Sequence, residues 1–232
     1  MAKKTGLAAL ALVAIAAGGL WSFGSTTPQT AVQTLLPVMA AEAQETAPAD
    51  SATTAAVPEV PDMVLGAEDA PVTLLEYASY TCPHCASFHT NVFKQLKADY
   101  IDTGKVKFIL REVYFDRYGL WAAMVARCGG DMRYFGISDI LFSTQTEWAA
   151  SDDPATVVEN LRKIGRTAGM DDAAMTMCLE DGAMAQAMVT TYQTNAEADD
   201  VQGTPTILIN GTRHGNMNYA DLKAILDAEL AK

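Results

Sequence analysis

The sequence predicts an α/β fold in which a small sheet domain is interrupted by a block of helices. Two strand-like apolar segments, VTLLEYAS at residues 72–79 and VKFILREV at residues 106–113, enclose one helical segment. No segment between residues 119 and 200 has the pattern of a strand, and another strand-like segment, TPTILIN, follows at residues 204–210. The predicted order of elements is therefore βαβ, then helices, then ββα.

The first part of the sheet domain is predicted for residues 72–113. Its two strand-like segments combine apolar, β-branched and aromatic residues, which is typical of buried strands. Between them, apolar residues recur at helical spacing from Phe88, so a helix is predicted from Cys82 to about Tyr100, and Gly104 ends it. A helical connection of this length implies that the two strands are parallel.

The helical block and the C-terminal part show similar signals. An Asp-Pro pair at residues 153–154 is typical of the beginning of a helix within the block. The Gly- and Asn-rich segment at residues 210–216 is predicted to be the turn of a hairpin that follows the strand at residues 204–210. An amphipathic helix is predicted for residues 219–232.

The N-terminus is predicted to direct export. Lys3 and Lys4 precede an apolar run at residues 7–21, which is the layout of an export signal. The segment at residues 5–24 is also about long enough to span a bilayer. A cleaved signal peptide and a retained membrane anchor both stay open, and either one places the body of the protein in the periplasm.

The chain is accordingly predicted to have four parts. They are a signal peptide or membrane anchor (residues 1–24), a flexible linker (residues 25–61), the sheet domain in two pieces (residues 62–117 and 190–232) and a helical insertion (residues 118–189). The linker is rich in Ala, Thr, Pro, Gln and Glu and has few large apolar side chains, so it is not expected to form a packed core.

The charge of the chain argues against some classes of partner. The 232 residues carry a formal net charge of −12 at pH 7. A surface this acidic repels nucleic acid and anionic lipid, so neither is expected as a partner. The sequence shows no element that would mediate dimerisation, and a monomer is expected.

The four cysteines are Cys82, Cys85, Cys128 and Cys178. In an exported protein they are expected to be oxidised at least part of the time, and an even count allows two disulfides in three pairings. Cys128 and Cys178 both fall on predicted helices of the insertion, and a disulfide between these helices is expected. The alternative is a pair of buried free thiols.

The segment YTCPHCASF at residues 80–88 contains a Cys-x-x-Cys motif that could serve three kinds of chemistry. A structural zinc site needs a second pair of ligands, but Cys128 and Cys178 are far apart, and His89 lies only one helical turn after the motif. A purely structural disulfide between the two cysteines of the motif would close a tiny loop and add little stability. The third kind, a redox centre, has a direct physical basis.

The position of the motif favours redox chemistry. Cys82 lies at the start of the predicted helix, where unpaired N–H groups and a partial positive charge stabilise a thiolate and lower the cysteine pKa. Pro83 suits the first turn because it has no N–H to lose. His84 adds a donor and positive charge, and the alternative is a neutral core histidine. A stabilised thiolate favours the reduced form and makes the disulfide a stronger oxidant.

Three features of the sequence occur together in one known family. They are the tetrapeptide CPHC at residues 82–85, Glu76 on the preceding strand, and Thr204-Pro205 at the start of a late strand. With them the chain resembles the DsbA-like thiol:disulfide oxidoreductases, exported members of the thioredoxin superfamily. The resemblance covers about residues 64–230, and it implies a thioredoxin-like fold with an inserted all-helical domain.

The resemblance and the helix-start argument together assign roles to the residues of the motif and its surroundings. Cys82 is expected to be the exposed nucleophile, and Cys85 the more buried resolving and leaving thiol. Glu76 would be a buried acid that relays a proton to or from Cys85, and the alternative is a strand-edge glutamate that faces water. Some family members pair this acid with a lysine on the next strand, where this sequence has Leu110 with Arg111 beside it.

Thr204 and Pro205 are expected to bind the substrate. The peptide bond between them is predicted to be cis, which in the family exposes main-chain groups to a substrate strand. The alternative is a trans proline at the first position of a strand. Threonine also precedes this proline in family isomerases, so Thr204 does not by itself indicate an oxidase.

The sequence therefore predicts an exported oxidase that introduces disulfide bonds into newly translocated proteins through Cys82 and Cys85. Its expected partners are reduced, unfolded polypeptides and, by resemblance, a quinone-linked membrane oxidase that re-oxidises the motif. Neither an organic cofactor nor a metal is expected. The alternatives are a disulfide isomerase or reductase of the same fold and, from another class, a non-enzymatic binding or chaperone module.

Overall fold

The computed structural model describes residues 57–232. The predicted signal peptide or anchor at residues 1–24 and nearly all of the predicted linker at residues 25–61 lie outside the described residues. Within the described part, no helix combines the length and the apolar character that crossing a membrane requires.

In the described part of the chain the sheet is mixed and has five strands. They are β1 (Met63–Leu65), β2 (Val72–Ala78), β3 (Val106–Glu112), β4 (Thr206–Ile209) and β5 (Thr212–His214). Their spatial order is β1-β3-β2-β4-β5. β2 and β3 are parallel, as predicted, and the other neighbouring pairs are antiparallel. β1 is absent from the sequence-based prediction, because three residues are too few to show a strand pattern.

The strand β2 lies inside the sheet and ends just before the Cys-x-x-Cys motif. Its residue Glu76 is opposite Leu110 of β3 and Ile207 of β4. Because side chains alternate along a strand, Glu76 shares a face with Leu74, whereas Tyr77 packs in a separate cluster on the other face. The face that carries Glu76 is the one covered by the helix that follows the motif.

The helix after the motif contains two π-helical turns. It consists of α1 (Pro83–Phe88), a π-helical turn (His89–Phe93), α2 (Lys94–Leu96) and a second π-helical turn (Lys97–Ile101). Its extent matches the predicted helix at residues 82–100. A π-helical turn is wider than an α-helical one, and His89, Val92 and Phe93 are all buried in the first of them. The adjacent apolar pair Val92 and Phe93 is the sequence signal of this widened face.

Six helices lie between β3 and β4. They are α3 (Arg117–Cys128), α4 (Asp131–Ser143), α5 (Gln145–Trp148), α6 (Pro154–Thr167), α7 (Asp172–Glu180) and α8 (Gly182–Ala198). Asp153 caps α6 by accepting from the backbone N–H of Thr156, so the predicted helix start at residues 153–154 is confirmed. α8 continues through residue 190, the predicted boundary of the insertion, because no Gly or Pro interrupts it there.

The C-terminal hairpin turns within two residues. Asn210 and Gly211 have φ angles of 47° and 81°, which are the left-handed values that a tight two-residue turn requires. The chain therefore forms β5 immediately afterwards, and the prediction that all of residues 210–216 form a turn is wrong at residues 212–214. α9 (Tyr219–Leu230) follows and confirms the predicted terminal helix.

The sheet and the helical block share a core. Phe108 of β3 packs against Phe93 of the helix after the motif and against Phe135 of α4, with ring centroids 4.8 Å and 6.1 Å apart. Trp148 of α5 is buried and donates its indole N–H to the carbonyl oxygen of Leu141 at 2.8 Å. Because the helical block is packed against the sheet, its side chains can reach the Cys-x-x-Cys motif.

Candidate active site

The two cysteines of the motif lie where β2 is followed by α1. Cys82 is the N-cap residue of α1 and has an extended backbone, and Pro83 occupies the first helical position, as predicted. Cys85 is fully buried, whereas Cys82 is partly exposed, and both are free thiols. A molecule in solution can therefore reach the sulfur of Cys82 but not that of Cys85.

The surroundings of the two thiols give them opposite acidities. Burial of Cys82 opposes ionisation, but hydrogen bonding with Thr204 and with the backbone of Cys85 and His84 outweighs it and lowers the pKa of Cys82. Burial raises the pKa of Cys85 well above its ordinary value, and the negative charge of Glu76 raises it further. Cys82 is therefore the better nucleophile and leaving group, and Cys85 is the thiol that holds its proton.

The Thr204-Pro205 bond faces the motif. It is cis, as predicted, and the alternative of a trans proline is wrong. The thiol of Cys82 donates to the carbonyl oxygen of Thr204, with an Sγ–O distance of 3.6 Å. Thr204 Oγ1 is buried and has no hydrogen-bond partner of normal geometry among the described residues. The Thr204 side chain is nevertheless one of the groups that lower the pKa of Cys82.

His84 lies on the surface in the first turn of α1. The alternative of a neutral core histidine is therefore wrong. The backbone of His84 is one of the groups that lower the pKa of Cys82. Additional tuning of Cys82 by the imidazole of His84 stays a prediction.

Glu76 is fully buried beneath the motif, so the alternative of a strand-edge glutamate that faces water is wrong. Its Oε2 lies 3.0 Å from Nε2 of His89, which is also buried. Its Oε1 is buried and has no hydrogen-bond partner among the described residues. The carboxyl group is therefore held through one oxygen only, close enough to Cys85 for its charge to act on that thiol.

The partner of Glu76 comes from the helix and not from β3. Leu110 lies opposite Glu76, as the sequence indicates, and the guanidinium of Arg111 instead contacts Asp62 and Asp199 at 2.8 Å and 3.0 Å. His89 is not among the residues predicted for the redox site. Its spacing of one helical turn from Cys85, on the buried face of the helix, is the signal that could have identified it.

A residue of the helical block fixes the backbone of the motif. Gln145 is buried in α5, and its side-chain amide donates to the carbonyl oxygen of Tyr80 at 2.8 Å and to that of Cys82 at 3.0 Å. No sequence signal marks Gln145, because its role depends on where the four-residue helix α5 packs. The helical block is thus in direct contact with the redox motif.

The other two cysteines form a disulfide, as predicted. Cys128 at the end of α3 is bonded to Cys178 in α7, with Cα atoms 6.0 Å apart. The alternative of two free thiols is therefore wrong. Within residues 57–232, no group of three or more His, Cys, Asp or Glu side chains is arranged to hold a metal ion.

Comparison with known sequences places the chain in a family. A family model described as "Thioredoxin" matches residues 59–228. The chain is 34% identical over 167 residues to a Rickettsia bellii protein named "Putative protein-disulfide oxidoreductase", which covers 72% of this chain and 63% of that protein. The chain thus spans less than two thirds of the length of this relative. It is also 27% identical to Disulfide bond formation protein D of Bacillus subtilis, over 72% of this chain and 76% of that protein.

Comparison with solved structures leads to the same group. Alpha-DsbA1 of Wolbachia pipientis is 28% identical, with a TM-score of 0.69 over 76% of this chain and 94% of that chain. A protein-disulfide isomerase from Novosphingobium aromaticivorans is 25% identical, with a TM-score of 0.64 over 74% and 98% of the two chains. The predicted thioredoxin-like fold with a helical insertion is thereby confirmed. The chain belongs to the thioredoxin family, and within it to the DsbA-like proteins.

Proposed function

We propose that this chain is a thiol:disulfide oxidoreductase that acts as a dithiol oxidase and introduces disulfide bonds into exported proteins. The observation that supports this most is the asymmetry of the motif, in which an accessible Cys82 of lowered pKa lies beside a buried Cys85 of raised pKa. Stabilising the thiolate of the reduced form makes the corresponding disulfide a stronger oxidant.

The proposed reaction begins with a disulfide between Cys82 and Cys85. A substrate thiolate attacks the Sγ atom of Cys82, the bond between the two cysteines breaks, and Cys85 leaves with the electron pair and takes up a proton. A second thiolate of the substrate attacks the substrate sulfur of this mixed disulfide, and Cys82 leaves as a thiolate. The substrate loses two electrons and gains one disulfide, and the motif is reduced to the dithiol.

The proposed substrates are reduced, unfolded polypeptides in the periplasm. The cis bond between Thr204 and Pro205 lies beside Cys82 and presents backbone groups there, which suits an extended substrate strand. A quinone-linked oxidase of the inner membrane would then return the motif to its disulfide form. The chain would act as a monomer, and the thiols themselves carry the electrons, so the reaction needs no cofactor within the chain.

A disulfide isomerase or reductase is the second candidate. Two observations favour it: threonine occupies the position before the cis proline, and one similar structure is titled a protein-disulfide isomerase. Such an enzyme would use the thiolate of Cys82 to attack substrate disulfides, and its motif would be kept reduced.

The reduction potential of the motif distinguishes these functions. After equilibration of the protein with glutathione buffers, a dithiol oxidase is expected to give a value near about −120 mV. A value near about −180 mV would favour the isomerase, and one near about −270 mV a reducing enzyme. A protein that neither oxidises a dithiol peptide nor reduces insulin would contradict both candidates and leave the non-enzymatic binding module.

The substitution Thr204→Val is expected to make the motif less oxidising. It removes a side-chain hydroxyl that lowers the pKa of Cys82, so the pKa of Cys82 rises and the reduced form becomes less stable. We expect the reduction potential to move by about 30 mV toward negative values, and alkylation of Cys82 by iodoacetamide to require a higher pH.

Thr206, two residues after Thr204, provides a matched control for this experiment. The hydroxyl of Thr206 donates to the carbonyl oxygen of Gly203 at 2.6 Å. Thr206→Val therefore removes a hydrogen bond from the same loop without removing the hydroxyl beside Cys82. Equal shifts of the potential in both variants would show that the loop, and not the Thr204 hydroxyl, sets the potential.

A further inference from the structure

A carboxyl group and an imidazole form a buried pair beneath the motif. The side chains of Glu76 and His89 are 0% and 3% exposed, and the Oε2 and Nε2 atoms are 3.0 Å apart. An isolated charge at this depth would be strongly unfavourable, so each group depends on the other. A hydrogen bond between a carboxyl oxygen and a ring nitrogen requires a proton on one of them. The pair therefore holds a proton at Oε2 or Nε2.

Aromatic rings fix the imidazole of His89. Phe142 of α4 stacks on it, with centroids 3.9 Å apart and an interplanar angle of 17°. Phe93 and Phe88 lie at 4.7 Å and 6.0 Å on other sides. None of these rings titrates, so Glu76 is the ionisable group to which His89 is bonded. The helical block thus helps to determine which way the imidazole faces.

The second carboxyl oxygen of Glu76, Oε1, is available to exchange a proton in the reaction. His89 occupies Oε2, while Oε1 is buried with no hydrogen-bond partner among the described residues. His89 and Cys85 are both buried and lie one helical turn apart on the same helix, so the carboxyl group bonded to His89 lies on the side of the helix that carries this thiol. Cys85 is the buried sulfur that leaves as a thiolate in the proposed reaction, and water does not reach it.

We infer that His89 is a positioning residue for disulfide exchange: it holds Glu76 by one oxygen and shares with it the proton that Cys85 takes up on leaving. The inference rests on the proposed function and names the residue that holds the buried acid in place. When Cys85 leaves the disulfide, the pair holds one proton more than a carboxylate with a neutral imidazole, on Glu76 or on His89. This proton moves to the sulfur of Cys85, and the carboxylate and the neutral imidazole remain. When the motif is re-oxidised, Cys85 reacts as a thiolate and returns that proton to the pair, so the cycle is balanced.

The test is a double-mutant cycle with E76Q, H89Q and the double variant. The readout is the single-turnover rate at which the oxidised full-length protein oxidises a reduced dithiol peptide. Because general acid–base groups contribute about 100- to 10,000-fold, we expect E76Q and H89Q each to slow the reaction by at least about tenfold. If His89 acts through Glu76, the double variant is no slower than E76Q.

A matched control is H214Q, which removes the imidazole of His214 in β5, and its rate should equal that of the wild type. If the wild-type protein oxidises the peptide and H89Q does so at the same rate, the inference is overturned and the proposed function is not. H89Q slowing the reaction equally with and without E76Q would also overturn it, because His89 would then act independently of Glu76. A wild-type protein that does not oxidise the peptide would overturn the proposed function and this inference with it.

A measurement on the wild-type protein keeps the inference testable if H89Q does not fold. Nitrogen-15 NMR of labelled histidine reports which ring nitrogens of His89 carry protons. A protonation pattern that differs between the oxidised and reduced forms of the motif supports the inference. The same pattern in both forms contradicts it.

Discussion

Replacing Cys82 with serine is expected to abolish disulfide exchange altogether. Cys82 is the sulfur of the motif that a molecule in solution can reach, and its lowered pKa makes it both a good nucleophile and a good leaving group. Cys85 cannot substitute for it, because that thiol is fully buried and its pKa is raised. Oxidation of a reduced dithiol peptide by Cys82→Ser should therefore fall to the uncatalysed rate.

Replacing Cys85 instead is expected to trap substrates. In Cys85→Ser the thiolate of Cys82 attacks a substrate disulfide, one substrate sulfur leaves as a thiolate, and a mixed disulfide forms. No neighbouring thiol is then left to resolve this mixed disulfide, so it should persist. Non-reducing electrophoresis followed by mass spectrometry should detect adducts at Cys82 that dithiothreitol releases.

The double variant Cys82→Ser/Cys85→Ser is the control for the trap. It keeps the disulfide between Cys128 and Cys178, so adducts that still form in it would come from outside the motif. Persistent adducts in Cys82→Ser but not in Cys85→Ser would reverse the two assignments. Absence of adducts from Cys85→Ser would contradict the role of Cys82 as the attacking sulfur.

The elements predictable from the sequence are those whose signals are local. The β2-helix-β3 unit follows from two apolar runs and one helical spacing, and the start of α6 follows from the Asp-Pro pair at residues 153–154. The second strand of the C-terminal hairpin is predicted, but its position is not, because the residues of β5, Thr212–His214, are mostly exposed and follow a two-residue turn. Whether such a segment pairs with β4 depends on the φ angles of Asn210 and Gly211, and composition alone does not determine these angles.

The residues of the site also differ in whether a local sequence signal marks them. Cys82 and Cys85 are marked by their spacing at the start of a helix. His89 has a spacing signal but not one that names its partner, and Gln145 has no signal. Each acts through contacts made in three dimensions, His89 with Glu76 across the sheet–helix interface and Gln145 with the motif backbone from the helical block. Leu110 lies opposite Glu76 on β3, so a charged partner of Glu76 must come from another element. The sequence does not indicate which element this is.

The largest effect on stability is expected from Arg127→Met. Arg127 of α3 and Glu112 at the end of β3 form a two-bond ion pair, with N–O distances of 2.9 Å and 2.6 Å, and their side chains are 13% and 3% exposed. Removing one partner of such a pair leaves a buried charge without compensation, which costs about 3–5 kcal/mol. Tyr134 also donates to Glu112, at 2.7 Å, and this hydrogen bond cannot replace the guanidinium. Urea unfolding with the disulfide intact should show the loss.

Two further variants determine whether the uncompensated charge is the cause. Arg166→Met removes an ion-pair cation of the same type from an exposed position, where Arg166 contacts Glu159 and Asp172, and it should leave the unfolding midpoint almost unchanged. The double variant Glu112→Gln/Arg127→Met removes the buried charge as well and should recover a large part of the stability. If it recovers none, the loss in Arg127→Met comes from missing packing and not from the charge. Because Glu112 ends the strand that pairs with β2, such a result would mean that side-chain packing, and not the ion pair, joins α3 to the end of β3 nearest the motif.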